Sequence, residues 1–160
     1  MVSLDELKKI YLLGELTDSM IENLSPIADL HDYQDREVIF REGQEAKNFF
    51  MLAQGKVLLE VQASDTILIS LGSIKPGYSF GWSALLPGSS YTAYAMCAEH
   101  CEVITVPGEK FLGLMEEDHT MGYLIMQGVV RILKKRLERR TEQFLKTLRE
   151  HPDIKKPFWT

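Results

Sequence analysis

Residues 74–107 read IKPGYSFGWSALLPGSSYTAYAMCAEHCEVITVP, and the fold turns on how this stretch is parsed. Gly77 and Gly81 bracket a short apolar step, and a Pro-Gly break follows at Pro87–Gly88. YTAYAMC (residues 91–97) and CEVITVP (residues 101–107) are β-branched or aromatic runs separated by AEH, which predicts two strands and a turn. Between the breaks, Gly81 opens a short helix through roughly Ala84. A helix N-terminus presents free amide donors and a partial positive charge, so this turn suits an anion.

The texture is the same upstream. EVIF, FFMLA, KVLLEV and TILISLG are further strand candidates, broken at Gly43, at Gly55 and at the ASD turn. Glycine suits such turns because it takes positive φ without a Cβ clash. Many short strands at regular spacing predict an antiparallel roll, barrel or sandwich.

Helical patterns flank the strands. Ser3 and Glu6 have capping-box spacing, Leu4, Leu7, Ile10 and Tyr11 follow on one face, and Gly14 breaks the run. Thr17 or Asp18 caps a second helix, with Pro26 near a new first turn. Residues 108–117 read as a short helix and 119–150 as a long one. In the long helix Met121, Ile125, Gly128, Ile132, Leu137, Thr141, Phe144 and Leu148 form an apolar stripe. The expectation is one domain over 1–160: helices to 30, β-roll over 31–107, helices over 108–150, and a non-helical tail over 151–160.

Helices, a glycine-punctuated roll and a long helix, with Gly43, Gly55, Gly77 and Gly81 in order, resemble the cyclic-nucleotide-binding domain family. VIFREGQEAKNFFMLAQGKVLLE looks like the family's first hairpins, and residues 74–107 like its phosphate-binding cassette with the two strands after it. The resemblance covers roughly residues 13–145. It implies a mainly β fold with flanking helices, a double-stranded β-helix of jelly-roll type followed by a long C-terminal helix. It resembles a catabolite-activator-like sensor domain without the helix-turn-helix DNA-binding domain. The family's cassette places a Glu after the second glycine for the ribose hydroxyl and an Arg at the next strand for the cyclic phosphate. Here those places hold Trp82 and Tyr91, with Thr92 beside it, and residues 84–96 contain no Arg. Losing an ion-paired Arg at a phosphate costs roughly 2–5 kcal/mol. The expected ligand-binding residues are therefore Gly81, Trp82, Ser83, Ala84, Tyr91 and Thr92, holding a cyclic nucleotide or another small anion weakly or in an altered way. Trp82 fills the pocket or stacks on a flat ligand.

Composition narrows the classes further. The net charge is -5 with 45% hydrophobic and 26% charged residues, an ordinary globular balance that argues against a dedicated nucleic-acid binder. Two cysteines predict no disulfide framework and a cytoplasmic location. The N-terminus lacks signal-peptide character, and no apolar run is long enough to cross a bilayer. Cys97, His100 and Cys101 are read as a hairpin with a cysteine on each strand rather than a metal site or redox pair. His31, His119 and His151 are scattered and do not mark a haem site. Arg131, Lys134, Lys135, Arg136, Arg139 and Arg140, opposed by Glu138, are read as a solvated helix face. No hydrolase, zincin or phosphate-loop motif is present, and Asp18, Asp35 and Glu42 are read as solvated carboxylates, so no enzyme is expected.

Three functional readings stay open. One is a ligand-responsive regulatory module, a second a degenerate module serving dimerisation or protein interaction, and a third a haem or metal sensor. The chain is expected to homodimerise through the long helix, on a seam of Leu137, Thr141, Phe144 and Leu148, with packing of that helix within the monomer as the alternative. A further protein partner fits; sequence-specific DNA binding and membrane insertion are not expected.

Overall fold

The capping signals at the N-terminus act as written. In the computed structural model, which describes residues 1–151, α1 is Leu4–Lys8. Ser3 Oγ accepts from the Glu6 amide at 3.3 Å, and Glu6 Oε2 accepts from the Ser3 amide at 3.3 Å. α2 is Asp18–Leu24, capped by Thr17, whose Oγ1 accepts from the Met20 amide at 3.2 Å. A 3-10 turn, Ser25–Ile27, holds Pro26 in its first residues.

Eight strands follow: β1 Asp29–Tyr33, β2 Val38–Phe40, β3 Asn48–Gln54, β4 Val57–Ser64, β5 Ile67–Ile74, β6 Ser79–Phe80, β7 Tyr94–Cys97 and β8 Cys101–Pro107. They form two four-stranded sheets, ordered β1-β8-β3-β6 and β2-β7-β4-β5, with every pairing antiparallel. The fold is therefore mainly β with flanking helices, as the patterning predicts. Two strands escaped the pattern. β1 has the sequence DLHDY, polar and mostly exposed, so it carries little apolar alternation and is held by its full ladder to β8. It begins at Asp29, two residues before the expected start of the roll. β6 is two residues long, too short to have a period.

β3 sits between β8 and β6 and is buried on both faces, which is why FFMLA is continuous rather than alternating. Phe50 and Leu52 point between the sheets, where they join Phe40, Val57, Phe80, Tyr91 and Val103 in one core cluster. Phe49 points the other way and stacks on Phe111 of α3, Gly108–Glu117, with ring centroids 5.6 Å apart.

The long helix α4, His119–Glu150, starts where Asp118 Oδ1 accepts from the Met121 amide at 3.1 Å. The chain divides into two compact units, Met1–Ile125 and the residues from Met126 onward. In the first unit, Met121 and Ile125 of α4 are buried. In the second, the exposed apolar residues are Met126, Val130, Leu133, Leu137, Phe144 and Leu145. The single stripe expected for α4 is thus split. Its early members are buried, whereas Leu137 and Phe144 continue an exposed row that begins at Met126. The expectation of a non-helical tail lies, from residue 152, outside the described residues.

Candidate functional site

The cassette is built around Gly81. Its φ of 78° is left-handed, and a Cβ there would lie 2.8 Å from the Phe50 ring, so conformation and space both require glycine. Trp82–Leu85 then forms a single 3-10 turn. The far end of that turn is pressed against α3: a Cβ on Gly108 would approach the Ala84 carbonyl oxygen to 2.2 Å. Ala84 is accordingly buried and Ser83 half-buried. The glycines that mark the motif, Gly43, Gly55, Gly77 and Gly81, all take positive φ.

The loop after the turn is zipped onto the segment that follows β2. The Gly43 amide donates to the Tyr91 carbonyl at 2.8 Å, the Tyr91 amide donates to the Gln44 carbonyl at 2.9 Å, and the Ala46 amide donates to Ser89 at 2.9 Å. These bonds fix the backbone of Tyr91 and send its side chain into the core. There its ring stacks on Phe40, with centroids 3.8 Å apart and planes 14° from parallel. Its hydroxyl donates to the Asn48 carbonyl at 2.6 Å and accepts from the Asn48 amide at 3.1 Å. Burial pushes its phenolic pKa up, opposed by the Asn48 hydrogen bond. Phe50 and Phe80, stacked at 5.2 Å, complete a four-ring cluster.

The expected ligand-binding residues do not converge on one pocket. Tyr91 is 4% exposed and faces the core, while its neighbour Thr92 is exposed. Trp82 lies against Phe49 with ring centroids 5.0 Å apart, and Phe49 is on the α3 side of β3. Trp82 therefore packs on the face of β3 opposite to the Phe50 and Tyr91 cluster, not into the place beside Tyr91. Gly81 borders both faces, through its contact with Phe50 and its bond into the Trp82 turn.

Sequence reading missed the partners of Tyr91. Phe40 was legible as the last apolar residue of EVIF. Asn48 was not, because it acts through its backbone, and no side-chain pattern announces that.

The hairpin β7–β8 buries Cys97 and Cys101 as free thiols. Burial, reinforced by the neighbouring Cys101 thiol, pushes the Cys97 pKa up to about 12. The exposed His100 Nε2 lies 2.9 Å from Asp32 Oδ1, tying this turn to β1. On α4, Lys134 pairs with Glu138 at 3.7 Å. Among the described residues no group of three or more His, Cys, Asp and Glu side chains is placed to hold a metal ion, and no helix is long and apolar enough to cross a membrane.

Comparison with known proteins agrees with this architecture. The family described as the cyclic nucleotide-binding domain matches residues 30–118. Among curated proteins no relative matches. A structure from Geobacter metallireducens GS-15, described as a cyclic nucleotide-binding protein, is similar at 26% identity and a TM-score of 0.75, over 86% of this chain and 99% of its own. The catabolite activator protein of Thermus thermophilus has 24% identity and a TM-score of 0.71, over 87% of this chain and 64% of its own. The regulatory domain of Toxoplasma gondii PKA, crystallised with cAMP, has 18% identity and a TM-score of 0.69, over 85% of this chain and 48% of its own. The last two share the fold, and the chain spans only part of their length. With more than half its residues covered by the family match and its glycine scaffold, two sheets and flanking helices all in place, this chain belongs to the cyclic nucleotide-binding domain family.

Proposed function

We propose that this chain is a non-enzymatic regulatory module of the cyclic-nucleotide-binding type, whose cassette holds cyclic AMP or cyclic GMP weakly or in an altered way. One observation carries this reading. Tyr91, at the place of the family's phosphate-binding Arg, is stacked on Phe40 and has its hydroxyl committed to Asn48 as both donor and acceptor. A phosphate there would meet an aromatic ring and a satisfied phenol instead of a guanidinium fork. The cassette residues Gly81, Trp82, Ser83, Ala84, Tyr91 and Thr92 remain the proposed site for any anion the turn still holds. Titration with cyclic AMP and cyclic GMP, followed by melting temperature and by the emission of a Trp159→Phe variant in which Trp82 is the single tryptophan, tests the reading. No saturation below about 1 mM is expected, since the missing ion pair removes roughly 30- to several-thousandfold in affinity. Saturation with a Kd below about 10 μM would overturn it.

The packing of Tyr91 also favours the second reading, a module that binds no small molecule and acts through protein contacts. Complete silence to both nucleotides at 10-fold higher concentration would select it. In either case we place the chain in the cytoplasm, on the strength of its two free thiols. We also propose that it homodimerises through α4. The exposed row Met126, Val130, Leu133, Leu137 and Phe144 steps by four, three, four and seven, the spacing of a coiled-coil seam. This seam starts earlier than the Leu137–Leu148 run expected from sequence.

A further inference from the structure

Among the described residues the two sheets have four edge strands, β1 and β6 in one and β2 and β5 in the other. The outer side of an edge strand carries backbone donors and acceptors with no ladder partner, and native proteins blunt it by shortness, charge, proline or a bulge. Three of these edges are blunted. β6 has two residues. β2 has three, with a register shift between Val38 and Phe40. β1 sets Asp29, His31 and Asp32 along its length.

β5 is different. It is eight residues long, ILISLGSI, with neither a charge nor a proline, and its ladder runs to β4 alone. Ile67, Leu68 and Ile69 are 54%, 59% and 47% exposed, three consecutive large apolar side chains on an open edge. The strand's own extra residue, Leu71 between Ser70 and Gly72, comes after this run; Leu68, Ile69 and Ser70 keep regular register opposite Gln62, Val61 and Glu60.

The strand is also complementary to itself. Like charges side by side on neighbouring strands repel, and β5 brings none to a copy of itself. Along the chain its nearest charges are Asp65, in the turn before it, and Lys75, directly after it. Antiparallel pairing of two copies carries the Asp65 end of one toward the Lys75 end of the other, whereas parallel pairing sets like charges together. A two-fold pairing also closes: the joined eight-stranded sheet would end on the blunted β2 at both sides, so it does not grow into a fibre.

We propose that β5 is a docking edge for the β5 of a second copy of this chain, paired antiparallel about a two-fold axis. A contact along one strand falls below the roughly 1,200 Å² at which stable interfaces begin, so the complex is weak, with an expected Kd of about 0.05–0.5 mM. The test uses the whole chain carrying Leu137→Lys, so that association through α4 does not contribute. Sedimentation equilibrium from about 20 μM to about 1 mM should show a monomer–dimer equilibrium, and amide hydrogen exchange at Ile67–Ser70 should slow as concentration rises. Leu68→Lys adds a charge at an exposed point of the edge. It should weaken the dimer at least about tenfold and leave the melting temperature unchanged. Asp65→Lys should weaken the dimer about twofold or more, and Asp65→Lys together with Lys75→Asp should restore it. A monomer at about 1 mM would overturn the proposal even if β5 is protected in the wild-type chain, since α4 of the other copy would then be what covers the edge. Protection that maps elsewhere, an affinity unchanged by Leu68→Lys, or a double swap that stays weak would overturn it as well. If Leu68→Lys lowers the melting temperature, the exchange map of the unsubstituted edge decides.

Discussion

Tyr91 makes two hydrogen bonds that no apolar side chain can replace. Tyr91→Phe keeps the stack on Phe40 but strips the Asn48 amide and carbonyl of their partner. A loss of about 1–3 kcal/mol is expected, read as a lower urea midpoint at constant slope. An unchanged midpoint would mean that the Asn48 backbone finds water instead. Gly81 is constrained differently, by its φ of 78° and by the Phe50 ring. Gly81→Ala is expected to cost about 1–3 kcal/mol, and Gly81→Asn to recover part of it only if the ring can yield, since Asn tolerates the left-handed region. Comparing the two variants by thermal unfolding separates backbone strain from crowding.

Elements transmit these local constraints. The Trp82 turn is wedged between β3 and α3, because Ala84 meets Gly108 and Trp82 meets Phe49, which itself stacks on Phe111. In a Trp159→Phe background, where Trp82 is the single tryptophan, substitutions at Phe49 should therefore move the emission, whereas substitutions at Phe40 should not. Phe49→Leu against Phe40→Leu checks this at matched loss of volume. The β7–β8 hairpin has its own signature. Cys97 keeps its proton in the folded chain up to about pH 12, while an exposed thiol ionises near pH 8.5. Between those values the unfolded state sheds a proton that the native state retains, so stability falls as pH rises through this window and is fully present below it. Urea unfolding from pH 8 to 9 should show the decline, and Cys97→Ala should flatten it; above that range the unfolded chain's tyrosines start to ionise near their ordinary pKa of about 10, and the raised Tyr33 and Tyr91 add a loss of the same sign. A wild-type profile that is flat there would contradict the burial of this thiol.

For the whole molecule, the second unit poses the question of association. An exposed apolar row on a helix of this length is the surface that a second copy would cover, and residues such as Leu137 at 67% exposure and Phe144 at 63% leave most of their apolar surface to water in a lone chain. Leu137→Lys should leave the monomer's stability within about 0.5 kcal/mol. It should weaken a dimer by at least about tenfold in Kd, through an unpaired charge in the seam. Light scattering at about 10 μM, around the Kd of −7 kcal/mol association, reads this directly. A wild-type monomer at that concentration would end the dimer proposal.

Much of the fold was legible in the sequence because it is written in local rules. The Ser3 and Thr17 caps, the four glycines with positive φ, the apolar strands and the two C-terminal helices each depend on neighbours a few residues away. The absence of any Arg from residues 84–96 is equally a property of the sequence. What the tertiary structure decided is where the side chains go. β1 exists because β8 pairs with it, not because DLHDY favours a strand. Trp82 and Tyr91, nine residues apart, end on opposite faces of β3, since the turn before Leu86 and the ladder onto Gly43 and Gln44 rotate them differently. Local propensity sets conformation over a turn or a strand. Which face a side chain shows to which partner depends on chain segments tens of residues away, and only the assembled sheets bring Asn48, Phe40 and Tyr91 to one point.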